Sequence, residues 1–257
     1  MPLLHSFEAM GTFVSVRVDD LLDSAVSASA FAAVEQVFAQ LNERFSLYRE
    51  DSEISQIARG ELRLAESSEQ MREAYAEAIS WREKTGGAFS PDRPDGVLDL
   101  SGTIKAVAIH QAADALREAG ATNFSVNAGG DILVSGHDDL GADDEAGSWT
   151  TGIVDPNDRS QVLTAVRLTA ALPAMATSGS AERGEHIWLK PDTVSTFHQV
   201  SVLAPDIVMA DVLATAIIAG GHAQMAHAVQ NFPVAVFAID HHGEFFANAL
   251  FESALAD

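Results

Sequence analysis

The stretch 99–131, DLSGTIKAVAIHQAADALREAGATNFSVNAGGD, constrains the fold of this chain more than any other. A polar turn with a glycine and a lysine opens a helix-like segment. A short strand follows, then Asn127-Ala128-Gly129-Gly130-Asp131. Two flexible polar turns bracket one helix and one strand, so both arrive at the same end of that element pair. Unpaired backbone N–H groups at a helix N-terminus can receive an anion there. Taken alone, the same residues also fit an ordinary helix start and a tight turn or bulge.

The rest of the chain mixes the two hydrophobic periods. Residues 12–18 alternate as a strand, and 24–45 carry Phe31, Val34, Val37, Phe38 and Leu41 at helical spacing. A polar turn is expected at 45–55, a second helix at 67–84 behind Ser67 or Ser68, and a Gly/Pro/Asp-rich loop at 86–98. A third helix spans 105–119 and stops at Gly120. Short strands are expected at 123–128 and 131–135, an acidic loop at 137–147, strands at 149–154 and 162–169, and a loop-rich stretch at 173–192. A strand at 198–204 leads to an apolar helix at 207–219, ended by Gly220-Gly221, and a short helix at 222–230. A buried strand at 233–239 turns through Asp240-His241-His242-Gly243 into 244–247. Strands and helices mix without a regular βαβ rhythm, which predicts the α+β class. No linker interrupts the pattern, so a single domain over 1–257 is expected.

With 47% hydrophobic residues the chain has ample material for a core. It has no cysteine, which excludes disulfides, thiolate metal sites and thiol nucleophiles. No run approaches the roughly 20 apolar residues of a membrane span. The N-terminus, MPLLHSFEAMGTF, lacks the basic and apolar regions of a signal peptide, so the cytoplasm is the expected location. Acidic residues number 37 against 15 basic ones, a net charge of −22. Such a field disfavours nucleic acid and anionic membranes as partners. An anionic ligand would need a local site of backbone amides, a few cations or a metal; the lysines are Lys84, Lys105 and Lys190.

Two further clusters interrupt apolar elements. Ala176-Thr177-Ser178-Gly179, with Glu182, Arg183 and His186 behind it, offers hydroxyls and a glycine to a phosphate or ring, or forms a simple hydroxyl-stabilised turn. Asp211 and Thr215 are four residues apart, hence on one face of an apolar helix. Buried there, a carboxylate and a hydroxyl need partners. A hard cation such as Mg²⁺, an arginine or solvent would each satisfy the carboxylate.

In their order, MGTF (10–13), FSLYREDSEIS (45–55), GGAFSP (86–91), DLSGTIK (99–105), NFSVNAGGD (123–131), ATSGSAER (176–183), HI (186–187), ADVLATA (210–216) and IDHHG (239–243) resemble the ApbE-type flavin transferases. Nine short matches in one order, over nearly the whole chain, are far more specific than a lone glycine motif. The resemblance implies an α+β, ApbE-like (T-fold-like) domain with a cofactor cleft. It implies a Mg²⁺-dependent FAD:protein FMN transferase that moves FMN from FAD to a Ser or Thr hydroxyl of an acceptor flavoprotein and releases AMP.

By the same resemblance, Met10, Tyr48, Asp99, Lys105, Thr177, Ser178 and Gly179 contact FAD. Gly102, through its main-chain oxygen, Asp211 and Thr215 ligate the metal, and His186 and Asp211 serve the catalysis. The chain departs from the family pattern after His186-Ile187, where it continues Trp188-Leu189-Lys190-Pro191-Asp192-Thr193 and the Asp-Pro pair that normally follows is displaced or lost. Two alternatives therefore stay open: a Mg²⁺-dependent FAD pyrophosphatase giving FMN and AMP, and a catalytically eroded FAD-binding relative.

Overall fold

The computed structural model describes residues 2–137, 148–179 and 195–256. In chain order the elements are β1 (Leu3–Ala9), β2 (Thr12–Val18), α1 (Ser24–Phe45), α2 (Glu53–Ala58), α3 (Glu69–Lys84), α4 (Ser101–Glu118), β3 (Phe124–Ala128) and β4 (Asp131–Ser135). They continue with β5 (Ser148–Val154), β6 (Val162–Thr169), β7 (Ala174–Gly179), β8 (Phe197–Ala204), α5 (Ile207–Asn231), β9 (Ala235–Asp240), β10 (Phe245–Ala247) and α6 (Ala249–Ser253). Eight strands form one sheet in the order β1-β2-β3-β4-β7-β8-β9-β10, each neighbour antiparallel. β5 and β6 pair with each other as a separate hairpin. The class is α+β.

Strand alternation sorts side chains into two layers. Val14, Val16 and Val18 of β2, Phe124 and Val126 of β3, and Val200 and Val202 of β8 face α1, α4 and α5 in the main core. On the opposite face, Ile132, Val134, Met175, Leu203 and Ile239 pack under Trp149, Ile153, Val166 and Leu168 of the β5–β6 hairpin and Phe251 of α6.

Helix α1 shows how local and tertiary signals agree. Asp23 caps it by accepting the Ala25 N–H at 2.8 Å. Its buried Ala30, Val34, Phe38, Leu41 and Phe45 form the helical stripe that meets the core.

Several elements differ from the sequence expectation or go beyond it, α6 among them. The polar turn at 45–55 gives way to α2, because the Ser52 hydroxyl accepts the Ser55 N–H at 3.1 Å and starts a helix. Helix α4 begins at Ser101, not 105: the Asp99 carboxylate accepts the Ser101 N–H at 2.9 Å, and packing overrides the low helix propensity of Gly102. Residues 174–179, expected to be loop, form strand β7, because β4 on one side and β8 on the other supply its hydrogen bonds. The N-terminal residues form the edge strand β1, held to β2 in register from Leu3↔Val18 to Ala9↔Thr12.

The two helices expected at 207–219 and 222–230 run on as α5, with a break at Gly221 (φ 62°, ψ −150°). The Ser195 hydroxyl donates to the Ile218 carbonyl at 2.9 Å, one turn before this break. By length and composition α5 is long enough to cross a membrane, but it is mostly buried, packed against α4, β7 and β8. At the other end of the sheet, Asp240 accepts the N–H groups of Glu244 and His242, each at 2.8 Å. Those backbone bonds, the Glu244 one foremost, hold its carboxyl below the usual aspartate range. The acidic loop expected at 137–147 lies, beyond His137, outside the described residues, as does the loop-rich stretch from 180 to 194.

Candidate functional site

Two glycine turns come together at one end of the sheet. Residues Met10 and Gly11 join β1 to β2, both at positive φ (49° and 70°). Gly129 and Gly130 join β3 to β4, also both at positive φ (65° and 97°). This is the two-residue hairpin geometry that favours glycine. The NAGGD stretch is therefore a tight hairpin, steadied by the Gly130 N–H donating to the Asn127 side chain at 2.9 Å. The turns touch: the Gly129 N–H donates to the Phe13 carbonyl, and a Cβ on Gly129 would lie 2.4 Å from the Thr12 hydroxyl. Met10 is the exception in this set, a side chain held in the left-handed region that L-residues avoid.

Beside the Met10 turn opens a cavity of about 830 Å³, walled by the C-terminal end of α1, the segment after it and the first turns of α4. Met10, Tyr48, Asp99 and Lys105 all line it, with Arg49 and Arg93. Such a volume suits a ligand of dinucleotide size. Tyr48 stands 85% exposed at the rim of the cavity. Asp99 is buried, and its carboxylate accepts the N–H of Ser101 at the start of α4.

Lys105 has a partner that sequence reasoning missed. Its ammonium pairs with the Asp131 carboxylate, and both side chains are almost wholly buried (7% and 1% exposed). The other oxygen of Asp131 accepts the Thr177 N–H at 3.1 Å. One carboxylate thus ties a cavity-lining residue of α4 to strand β7. The signal in the sequence was the last residue of NAGGD, an aspartate at the start of an otherwise apolar strand.

Strand β7 divides the ATSG residues between two faces. Ser178 points toward α5, its hydroxyl 3.2 Å from that of Thr215. Thr177 points to the other face, 2.8 Å from the Ser201 hydroxyl. Gly179 pairs with Gln199 at the strand end. Asp211, one turn before Thr215, is 5% exposed.

The first turn of α4 packs against the loop that precedes it. A Cβ on Gly102 would meet the Phe89 ring at 3.0 Å, and one on Gly220 of α5 would meet Ala88 at 3.6 Å. His110 of α4 lies 3.9 Å from Asp206, the cap of α5, so the two helices run antiparallel.

The donor set of Asp211, Thr215 and Ser178 is one carboxylate and two hydroxyls, all hard oxygens. Among the described residues no three His, Asp or Glu side chains gather to form a closed metal cage. That combination fits Mg²⁺, which keeps several waters and takes further oxygens from a phosphate substrate. His186 and Arg183 lie outside the described residues.

The family model for ApbE matches residues 10–93 and 91–238, most of the sequence. The chain belongs to the ApbE family. Solved ApbE structures share its fold. The ApbE protein of Thermotoga maritima superposes with a TM-score of 0.82 at 18% identity, over 100% of both chains. The flavin transferase ApbE of Vibrio cholerae gives 0.75 at 23% identity, over 99% of each chain. The apo flavinyl transferase ApbE of Pseudomonas stutzeri gives 0.78 at 19% identity, over 100% of this chain and 98% of its own. No curated protein matches the chain.

Proposed function

We propose that this ApbE-family chain is a single-domain FAD:protein FMN transferase. The observation that carries the reading is the cavity: Met10, Tyr48, Asp99 and Lys105 stand far apart in sequence yet line one pocket of dinucleotide size. The flavin-transferase names of the Vibrio and Pseudomonas relatives support it.

In this reading FAD occupies the cavity, with Tyr48 and Met10 against a ring system. Asp211 and Thr215, with Ser178 beside them and the Gly102 carbonyl, would hold Mg²⁺. Bound there, the cation would offset the negative charge of the pyrophosphate. The oxygen of an acceptor Ser or Thr hydroxyl forms a bond to the FMN-side phosphorus. The bond from that phosphorus to the bridging oxygen breaks, and AMP departs with that oxygen. The hydroxyl proton passes to a base, the role assigned to His186. The walls of the cavity and the docked acceptor keep water from competing.

The test is incubation with FAD and Mg²⁺, with and without an acceptor protein carrying an Asp-Gly-x-Thr-like segment. The acceptor should gain the mass of one FMN unit as AMP appears. AMP and free FMN without any acceptor would instead mark a pyrophosphatase, and FAD binding with no AMP would mark a binding protein. Asp211→Ala should abolish AMP release while the fold, read by far-UV circular dichroism, persists; full turnover in that variant would refute the metal assignment.

A further inference from the structure

We infer that Asp131 is a positioning residue for the oxygen cluster of Asp211, Thr215 and Ser178: its carboxylate takes the place of a strand beside the end of β7 and so fixes Ser178 against Thr215. This rests on the metal reading above and names what holds that cluster in place. The pairing of β4 with β7 covers Ile132↔Met175 and Leu133↔Ala174, whereas β7 runs on beside β8 as far as Gly179↔Gln199. Residues 176–179 therefore have β8 on one side and, among the described residues, no strand on the other. β4 cannot supply one, because the chain turns away there through Gly129 and Gly130. The N–H of Thr177 is paired all the same: Asp131 Oδ1 accepts it at 3.1 Å.

The place of that bond matters because the next residue is Ser178. Its hydroxyl lies 3.2 Å from that of Thr215, one turn along α5 from Asp211. The Thr177 hydroxyl goes the other way, 2.8 Å from Ser201. The backbone bond thus sits where the strand sends its two hydroxyls to opposite faces, and Asp131 acts on the cluster through the main chain of β7.

The carboxylate is itself held from the other side. Asp131 is wholly buried at the start of an otherwise apolar strand, and its Oδ2 meets the Lys105 ammonium. Both oxygens are engaged, one by a backbone donor and one by a cation. A buried ion pair is often no more stabilising than apolar residues of similar volume. An apolar residue at 131 would, however, deprive the Thr177 N–H of this acceptor, and an unpaired donor inside a sheet is costly. What the aspartate adds beyond stability is geometry: a fixed end to β7, tied to a residue of the cavity wall. Outer partners of this sort touch no ligand, yet they orient the oxygens that do.

The experiment compares two double variants, Lys105→Met with Asp131→Asn and Lys105→Met with Asp131→Ala. Neither strands a buried charge, and they differ in whether residue 131 offers an oxygen to the Thr177 N–H. The probe is Mn²⁺ alone, a hard divalent cation read by water-proton relaxation, with Asp211→Ala giving the background from the acidic surface. The Asn protein should bind Mn²⁺ within about twofold of wild type. The Ala protein should bind it about tenfold more weakly, the scale of a lost outer partner. Hydrogen exchange in the same proteins should find the Thr177 amide protected with Asn and open with Ala, and far-UV circular dichroism checks that both are folded. The inference is overturned if the two double variants bind Mn²⁺ equally, whether at the wild-type level or below it, or exchange the Thr177 amide alike. A wild-type protein that holds no more Mn²⁺ than Asp211→Ala would refute the metal reading instead, and the exchange rates alone would then decide whether Asp131 holds β7.

Discussion

Replacing Asp131 with asparagine leaves one hydrogen bond intact and removes one charge, which isolates what the buried pair contributes. The amide oxygen can still accept the Thr177 N–H, so strand β7 keeps its anchor. Lys105, 6% exposed, is left without its countercharge. Removing one partner of a buried pair costs about 3–5 kcal/mol, because the remaining charge stays desolvated. For a chain of this size each kcal/mol moves the melting temperature by about 2–4 °C, so Asp131→Asn should lower it by about 6–20 °C.

Lys105→Met in the same background removes the stranded charge and keeps the apolar stem. The double variant should recover most of the loss, and the cycle of four proteins gives the coupling directly. Thermal unfolding followed by circular dichroism is the assay. A single variant that melts within about 2 °C of the wild type would show that the pair is solvated rather than buried, and the argument from desolvation would be wrong.

Asp20 accepts four hydrogen bonds, from the backbone and side chains of Thr122 and Asn123, at 2.6–3.0 Å. Burial pushes its carboxyl up, but these bonds outweigh it and bring it below the usual value. Its contribution is therefore complete above the ordinary aspartate range and lost as pH falls through the lowered folded value. Asp20→Asn should cost about 1–2 kcal/mol at pH 7, discounted for its partial exposure, and the gap to wild type in urea unfolding should shrink below about pH 4. Gly221→Ala forces a side chain into positive φ with its Cβ 2.7 Å from the Thr196 hydroxyl; it should cost about 1–3 kcal/mol, and an unchanged melting temperature would count against the break in α5. Met10→Gly relieves the left-handed strain while removing a cavity wall, so it should melt no lower than wild type yet bind FAD more weakly; equal FAD affinity would take Met10 out of the site.

Where a segment carries its own period or cap, the sequence displays the fold. Helix α1 and strand β2 have the limits that their alternation and stripe predict. Where pairing partners decide, the sequence is silent. The small residues of β7 read as a turn because nothing in Ala-Met-Ala-Thr-Ser-Gly encodes the two strands that flank it. The start of α4 is hidden for a related reason: its N-cap is Leu100, which has no capping side chain, the carboxylate that receives the Ser101 N–H belongs to Asp99 one residue further out, and Gly102 weakens the local signal.

The site shows the same division. Met10, Tyr48, Asp99 and Lys105 are visible as motif residues. The Lys105–Asp131 pair and the opposite orientations of Thr177 and Ser178 are products of the assembled sheet. Arg49 and Arg93 look like two more surface cations until the cavity brings them to one lining.

The sheet order also sets a timetable for synthesis. β3 and β4 follow one another closely in the chain, but β2 waits roughly a hundred residues for its neighbour β3, through all of α1 to α4, the longest gap between neighbours in the sheet. On the ribosome the β1–β2 hairpin emerges first and has no docking edge until residue 128 has left the exit tunnel. An isolated two-stranded hairpin is at best marginally stable in water. The Met10 turn, and with it one wall of the cavity, is thus made early and seated late, so a chain stalled before β3 would carry every residue of the cavity lining without the sheet edge that seats this turn.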